Sequence, residues 1–132
     1  MKTSKDYLEE ANAIVPHVTP EEGISIHAGG EAVFIDVRDS QSLGRTGTIA
    51  GGHHVPRGTI ELSADPDSPY HKPFLHKQAH ICIVCGAGLM AAMAGKTLVE
   101  MGFSHVTNVG GMDAWKDAGG PVADVGSQSA AG

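Results

Sequence analysis

Apolar residues recur at helical spacing near the start of the chain. Tyr7, Leu8, Ala11, Ile14 and Val15 predict an amphipathic helix over residues 4–15, which Pro16 stops. Thr19-Pro20-Glu21-Glu22 then places an N-cap, a proline at the first helical position and a glutamate three residues after the cap. This predicts a short helix to about His27, closed by Ala28-Gly29-Gly30. The pattern changes at Ala32-Val33-Phe34-Ile35-Asp36-Val37, a compact β-branched run that predicts a strand buried on both faces. Residues 39–52 are polar and glycine-rich and predict a loop. His53 to Pro56 predicts a short strand, residues 57–62 a brief helical turn, and residues 65–69 a loop.

The second half alternates more plainly. Residues 79–84 predict a strand, 89–101 a helix ended by Gly102, 105–109 a strand, and 112–118 a helix stopped by Gly119-Gly120-Pro121. Alternation of strands and helices predicts an α/β domain with a mostly parallel sheet. Ligands of such sheets bind at the carboxyl ends of the strands. Three strand ends carry candidate groups: Asp36-Val37-Arg38, Cys85, and Gly110-Gly111.

Length and composition narrow the picture. The chain has 132 residues, 41% hydrophobic and 18% charged, enough for one core and one domain. The predicted organisation is a helical extension over 1–16, the domain over 17–122, and a flexible tail over 123–132. A net charge of −6 without any basic run argues against a nucleic-acid or anionic-membrane partner. The apolar stretch 81–95 is shorter than the ~20 residues a membrane span needs. No apolar signal-peptide core follows Met1, so the expected compartment is the cytoplasm. Two cysteines do not make a disulfide scaffold.

Cys85 carries the strongest chemical signal. It stands between a buried strand and a helix start, in Cys85-Gly86-Ala87-Gly88-Leu89-Met90. Glycines there let successive N–H groups turn inward into a nest that, with the helix N-terminus behind it, favours an anion such as a thiolate. Cys82, flanked by Ile81 and Ile83, is expected to be inert core. Cys82 and Cys85 form a Cys-x-x-Cys only on paper, because residues three apart on an extended chain face opposite ways. A zinc site would need two further ligands, and His53 and His54 are the nearest candidates, so no metal and no cofactor are expected. Asp36 is expected to act structurally, as a loop cap or as the partner of Arg38. Arg38 and Arg57 are the cations best placed to support the Cys85 loop. Trp115, Met93 and Met101 are expected in the core, and Met90 at the rim of the pocket.

Four motifs in order resemble those of the single-domain rhodaneses, a sulfurtransferase family. They are Phe34-Ile35-Asp36-Val37-Arg38, Ile49 to Pro56, the Cys85 loop, and Val109-Gly110-Gly111-Met112-Asp113-Ala114-Trp115 with Gly119-Gly120-Pro121-Val122. The resemblance covers about residues 17–122. It implies an α/β fold with a central, mostly parallel five-stranded sheet flanked by helices on both faces. It also implies that Cys85 accepts a sulfane sulfur as a persulfide from a small donor, thiosulfate or another persulfide, and passes it to a thiol or cyanide-like acceptor. A homodimer is left open.

One position departs from the family. Its active loop carries an arginine where this chain has Met90, followed by Ala91. A charge-assisted hydrogen bond is worth about 1.5–3 kcal/mol, so its loss costs roughly ten- to hundredfold in rate. Thiosulfate, a dianion, is the donor most affected. Two functions follow: a sulfur carrier working through Cys85, or a rhodanese-like binding module without turnover. A phosphatase of the Cys-x5-Arg type is disfavoured, because its arginine would stand at Ala91.

Overall fold

The computed structural model describes residues 1–124. Helix α1 spans Ser4–Ile14 and α2 spans Pro20–Gly29, and both begin with a reciprocal capping box, Thr3 with Asp6 and Thr19 with Glu22. They are followed by β1 (Val33–Asp36), α3 (Ser40–Thr46), β2 (Thr48–Ile49) and β3 (His53–His54). A 3-10 turn over Arg57–Thr59 runs into α4 (Ile60–Ala64). Then come β4 (Ile81–Cys85), α5 (Leu89–Glu100), β5 (Val106–Gly111), α6 (Met112–Asp117) and β6 (Val122–Ala123).

The main sheet is parallel, in the order β3-β1-β4-β5. Among the described residues the sheet has four strands rather than the expected five. The place of a fifth beside β5 is taken by a single parallel bridge from His17 to Asn108. The Val18 N–H donates to the Asn108 carbonyl and the Asn108 N–H to the Pro16 carbonyl. Pro16 has no N–H to extend the ladder, and Thr19 already turns the chain into α2.

Residues 39–52 are not a continuous loop. Asp39 caps α3 through the Ser42 N–H (2.8 Å), and Leu43 anchors that helix in the interior. Strand β2 exists because β6 pairs with it antiparallel, Thr48 with Ala123 and Ile49 with Val122. A two-residue strand whose partner lies at the far end of the chain leaves no local periodicity to detect. Residue 123 thus belongs to a strand, and the expected tail beyond Asp124 lies outside the described residues.

Two apolar layers cover the sheet. One holds Val15, Ile35, Ile81, Ile83, Ala91, Ala94 and Leu98, and joins α1, α4 and α5 to the sheet. The other holds Phe34, Ile49, Cys82, Val84, Met112 and Trp115, with α2 and α6. Trp115 is fully buried as expected, and its indole N–H donates to the Pro121 carbonyl (3.0 Å). Helices on both faces leave only the strand ends open for chemistry.

Candidate functional site

Strand β4 is buried along its whole length and ends at Cys85. The chain then turns through Gly86 and Ala87 to Gly88, which sits at φ 89°, a left-handed conformation unfavourable for any residue with a side chain. That turn aims two backbone donors at one atom. The Gly88 N–H lies 2.9 Å from Cys85 Sγ, and the Ala91 N–H lies 3.3 Å from it. Cys85 is 1% exposed, yet neighbouring Gly86, Ala87, Leu89 and Met90 are all exposed. The sulfur is thus seated under an open loop. Ala91 belongs to the first turn of α5, whose N–H groups lack intrahelical acceptors, and the helix dipole adds positive potential there.

Among the described residues, both donors to the sulfur are backbone groups. Met90 is 38% exposed and supplies no charge. The expected cationic support divides in two. Arg38 is committed elsewhere: its guanidinium binds Asp36 (2.8 Å), the Thr46 hydroxyl (2.8 Å) and the Gly47 carbonyl (2.7 Å). Asp36 also accepts from the Thr48 hydroxyl (2.7 Å), so this pair fastens β1 to the α3–β2 segment. Asp36 is thus the partner of Arg38, one of the two arrangements the sequence suggests. Arg57 is half-buried after β3, and its guanidinium makes no ion pair among the described residues. Its backbone N–H donates to the Val37 carbonyl. His54 reaches back to the Arg38 carbonyl (2.7 Å), and His53 stacks on Phe74 (3.8 Å between centroids). Neither histidine faces a metal site, and no cluster of three or more ligating side chains is found among the described residues.

Asn108 is the residue the sequence reading missed. It is buried in β5, and its side chain uses both ends: Nδ2 donates to the Gly88 carbonyl (2.9 Å) and Oδ1 accepts from the Gly110 N–H (2.8 Å). It thereby ties the nest to the neighbouring strand. Gly111 completes the fit, since a Cβ at that position would collide with the Gly86 carbonyl oxygen. The available signal was an amide two residues before a Gly-Gly pair, in a buried strand.

Cys82 behaves as the sequence predicts. It is fully buried, and burial pushes its thiol up to about 12. A group held neutral in this way is not a nucleophile.

The model of the rhodanese-like domain family matches residues 19–118. Among solved structures, the chain is similar to a Rhodopseudomonas palustris protein of unknown function described as a possible tyrosine phosphatase. The identity is 36% and the TM-score 0.89, over 93% of this chain and 96% of that one. It is also similar to the polysulfide-sulfur transferase homodimer of Wolinella succinogenes, at 29% identity and a TM-score of 0.69, over 91% of this chain and 86% of that one. The human single-domain sulfurtransferase, at 22% identity and a TM-score of 0.68 over 78% of this chain and 96% of that one, shares the fold. No curated protein matches. The matched span runs from the capping residue of α2 to just past α6 and takes in the whole cysteine loop, so the chain belongs to the rhodanese-like domain family.

Proposed function

We propose that this protein is a sulfurtransferase in which Cys85 carries the sulfur. The observation that bears the reading is the pair of backbone N–H donors aimed at Cys85 Sγ from the loop and the start of α5, an arrangement that suits a sulfur nucleophile. The thiolate attacks the sulfane sulfur of a donor. A new S–S bond forms at Cys85, the donor's bond to that sulfur breaks, and its electron pair leaves with the remainder of the donor. The persulfide's outer sulfur then lies near the Leu89 and Met90 N–H groups, first-turn donors without acceptors inside the helix. The likeness to a polysulfide-sulfur transferase supports this chemistry.

The rim selects the donor. Met90 stands in place of the family arginine and Arg38 is bound to Asp36, so neither position offers a cation to a dianion at the loop. An organic persulfide, whose sulfane end carries at most one charge, suits a cradle of neutral dipoles better than the thiosulfate dianion does. The likeness to a possible tyrosine phosphatase does not carry over. A phosphoryl site of the Cys-x5-Arg type needs a bidentate guanidinium at residue 91, and Ala91 there is fully buried. The second reading, a binding module without turnover, is favoured only by Met90.

Mass spectrometry of the protein after incubation with thiosulfate, and separately with glutathione persulfide, tests the reading. The expected result is an adduct of about one sulfur (~32 Da) on Cys85 with the persulfide donor and little with thiosulfate. Cys85→Ser should abolish the adduct and Cys82→Ser should retain it. A wild-type protein that takes sulfur from neither donor would leave the binding module.

A further inference from the structure

Beside the cysteine loop lies a groove of about 320 Å³ that the transfer chemistry at Cys85 does not by itself require. One wall is α1 and the link after it, with Leu8, Asn12 and His17. The other wall is the loop itself, residues 87–89, and Asn108 also lines it. The volume is at the small end of ordinary ligand sites. The groove shares Gly88 with the nest, the same residue whose N–H touches Cys85 Sγ. Its lining is mixed: Leu8 and Leu89 are apolar, while the exposed Asn12 amide and His17 imidazole make no side-chain hydrogen bond with other described residues. No aspartate, glutamate, lysine or arginine takes part.

We infer that this groove seats the sulfur acceptor, and that the acceptor is a small thiol without a strong charge. This rests on the transfer reading above. Donor and acceptor react with different atoms. The donor must reach the Cys85 sulfur, which is buried under the loop. The acceptor attacks the outer sulfur of the persulfide, one S–S bond of about 2.05 Å further toward the rim. A molecule lying against residues 87–89 is placed at that rim. In the step itself the acceptor thiolate forms a new S–S bond to the outer sulfur. The Cys85 S–S bond breaks, its electron pair returns to Cys85 as thiolate, and the acceptor leaves as a persulfide whose outer sulfur keeps the proton it carried on Cys85. No lining side chain is an aspartate, glutamate, lysine or arginine, so the groove offers no ion pair to offset desolvation of a charged substituent elsewhere on the acceptor.

The test separates the two half-reactions. Protein is loaded with glutathione persulfide and then discharged with 2-mercaptoethanol, with 2-mercaptoethanesulfonate or with cyanide, rates being expressed per thiolate for the two thiols. Wild type should prefer the neutral thiol over the sulfonate. Asn12→Trp, which fills the groove from an exposed helix position, should lower the ratio of thiol to cyanide discharge by about tenfold or more, because cyanide is too small to need the groove. Leu8→Trp should do the same, which guards against one variant misfolding. An unchanged ratio in both variants, or loss of loading along with discharge, overturns the assignment. Wild-type protein that cannot be loaded at all instead overturns the transfer reading itself.

Discussion

Two adjacent strands of the sheet end in opposite ways. Strand β1 ends at Asp36, whose carboxylate and the Arg38 guanidinium form a buried ion pair at 2.8 Å, with Thr46, Gly47 and Thr48 completing the hydrogen bonds. Strand β4 ends at Cys85, which has two backbone N–H donors and, among the described residues, no charged partner. Full charges therefore satisfy each other at one strand end, and only backbone partial charges meet the sulfur at the next. The difference has a physical basis. A guanidinium and carboxylate satisfy each other and are unavailable to a ligand. Backbone dipoles of a helix start remain unsatisfied until an anion arrives.

Breaking the charged end should have the largest effect. Arg38→Ala leaves Asp36 buried without its partner, and such losses cost about 3–5 kcal/mol. Urea unfolding monitored by circular dichroism should show a large fall in midpoint. A change below about 1 kcal/mol would mean that the pair is not needed to hold β1 to the α3–β2 segment.

The neutral end should break more selectively. Asn108→Ala removes the bond to the Gly88 carbonyl and leaves that buried group and the Gly110 N–H unsatisfied, at about 1–3 kcal/mol each. Because Gly88 also holds Cys85 Sγ, sulfur loading should fall in protein that is still folded. Asn108→Gln, which keeps the amide, should recover part of the loading. A purely structural asparagine would lower the unfolding midpoint and leave loading of the folded fraction unchanged.

Adding charge to the neutral end sharpens the comparison. Met90→Arg should raise single-turnover loading from thiosulfate by about ten- to hundredfold and change loading from glutathione persulfide much less. Equal effects on both donors would mean that charge is not what the loop lacks.

The smallest effect expected is on acid stability. Burial lowers His53 below its ordinary value, and burial together with the neighbouring His105 lowers His80, which stacks on that ring at 3.5 Å. Both are thus held neutral in the folded chain. The unfolded chain binds their protons more readily, so stability is full above about pH 6.5 and declines as pH falls below it. Urea midpoints at about pH 7.5 and about pH 5 should differ in that direction, and replacing His80 with Asn should reduce the difference.

The setting of Cys85 was legible because everything that shapes its loop is local. A buried strand, two glycines and a helix start within residues 81–91 determine where backbone N–H groups point. The Thr19–Glu22 capping box, the core strands and the buried Cys82 were legible for the same reason: each follows from neighbours within a few positions. The sequence alone also showed that the family arginine is missing at Met90.

Tertiary structure decided what depends on residues distant in the chain. Strand β2 is a strand only because β6 returns to pair with it. The fifth sheet position shrank to the His17–Asn108 bridge because proline and the cap of α2 left no room for a ladder. Arg38 pointed equally well to the loop or to Asp36 on paper, and the fold committed it to Asp36, Thr46 and Gly47. Asn108 stands 20 residues from the Gly88 carbonyl it holds, and only the pairing of β4 with β5 brings them together. Local propensity records the conformation of a segment, whereas the partner of a buried polar group is chosen by how the segments pack.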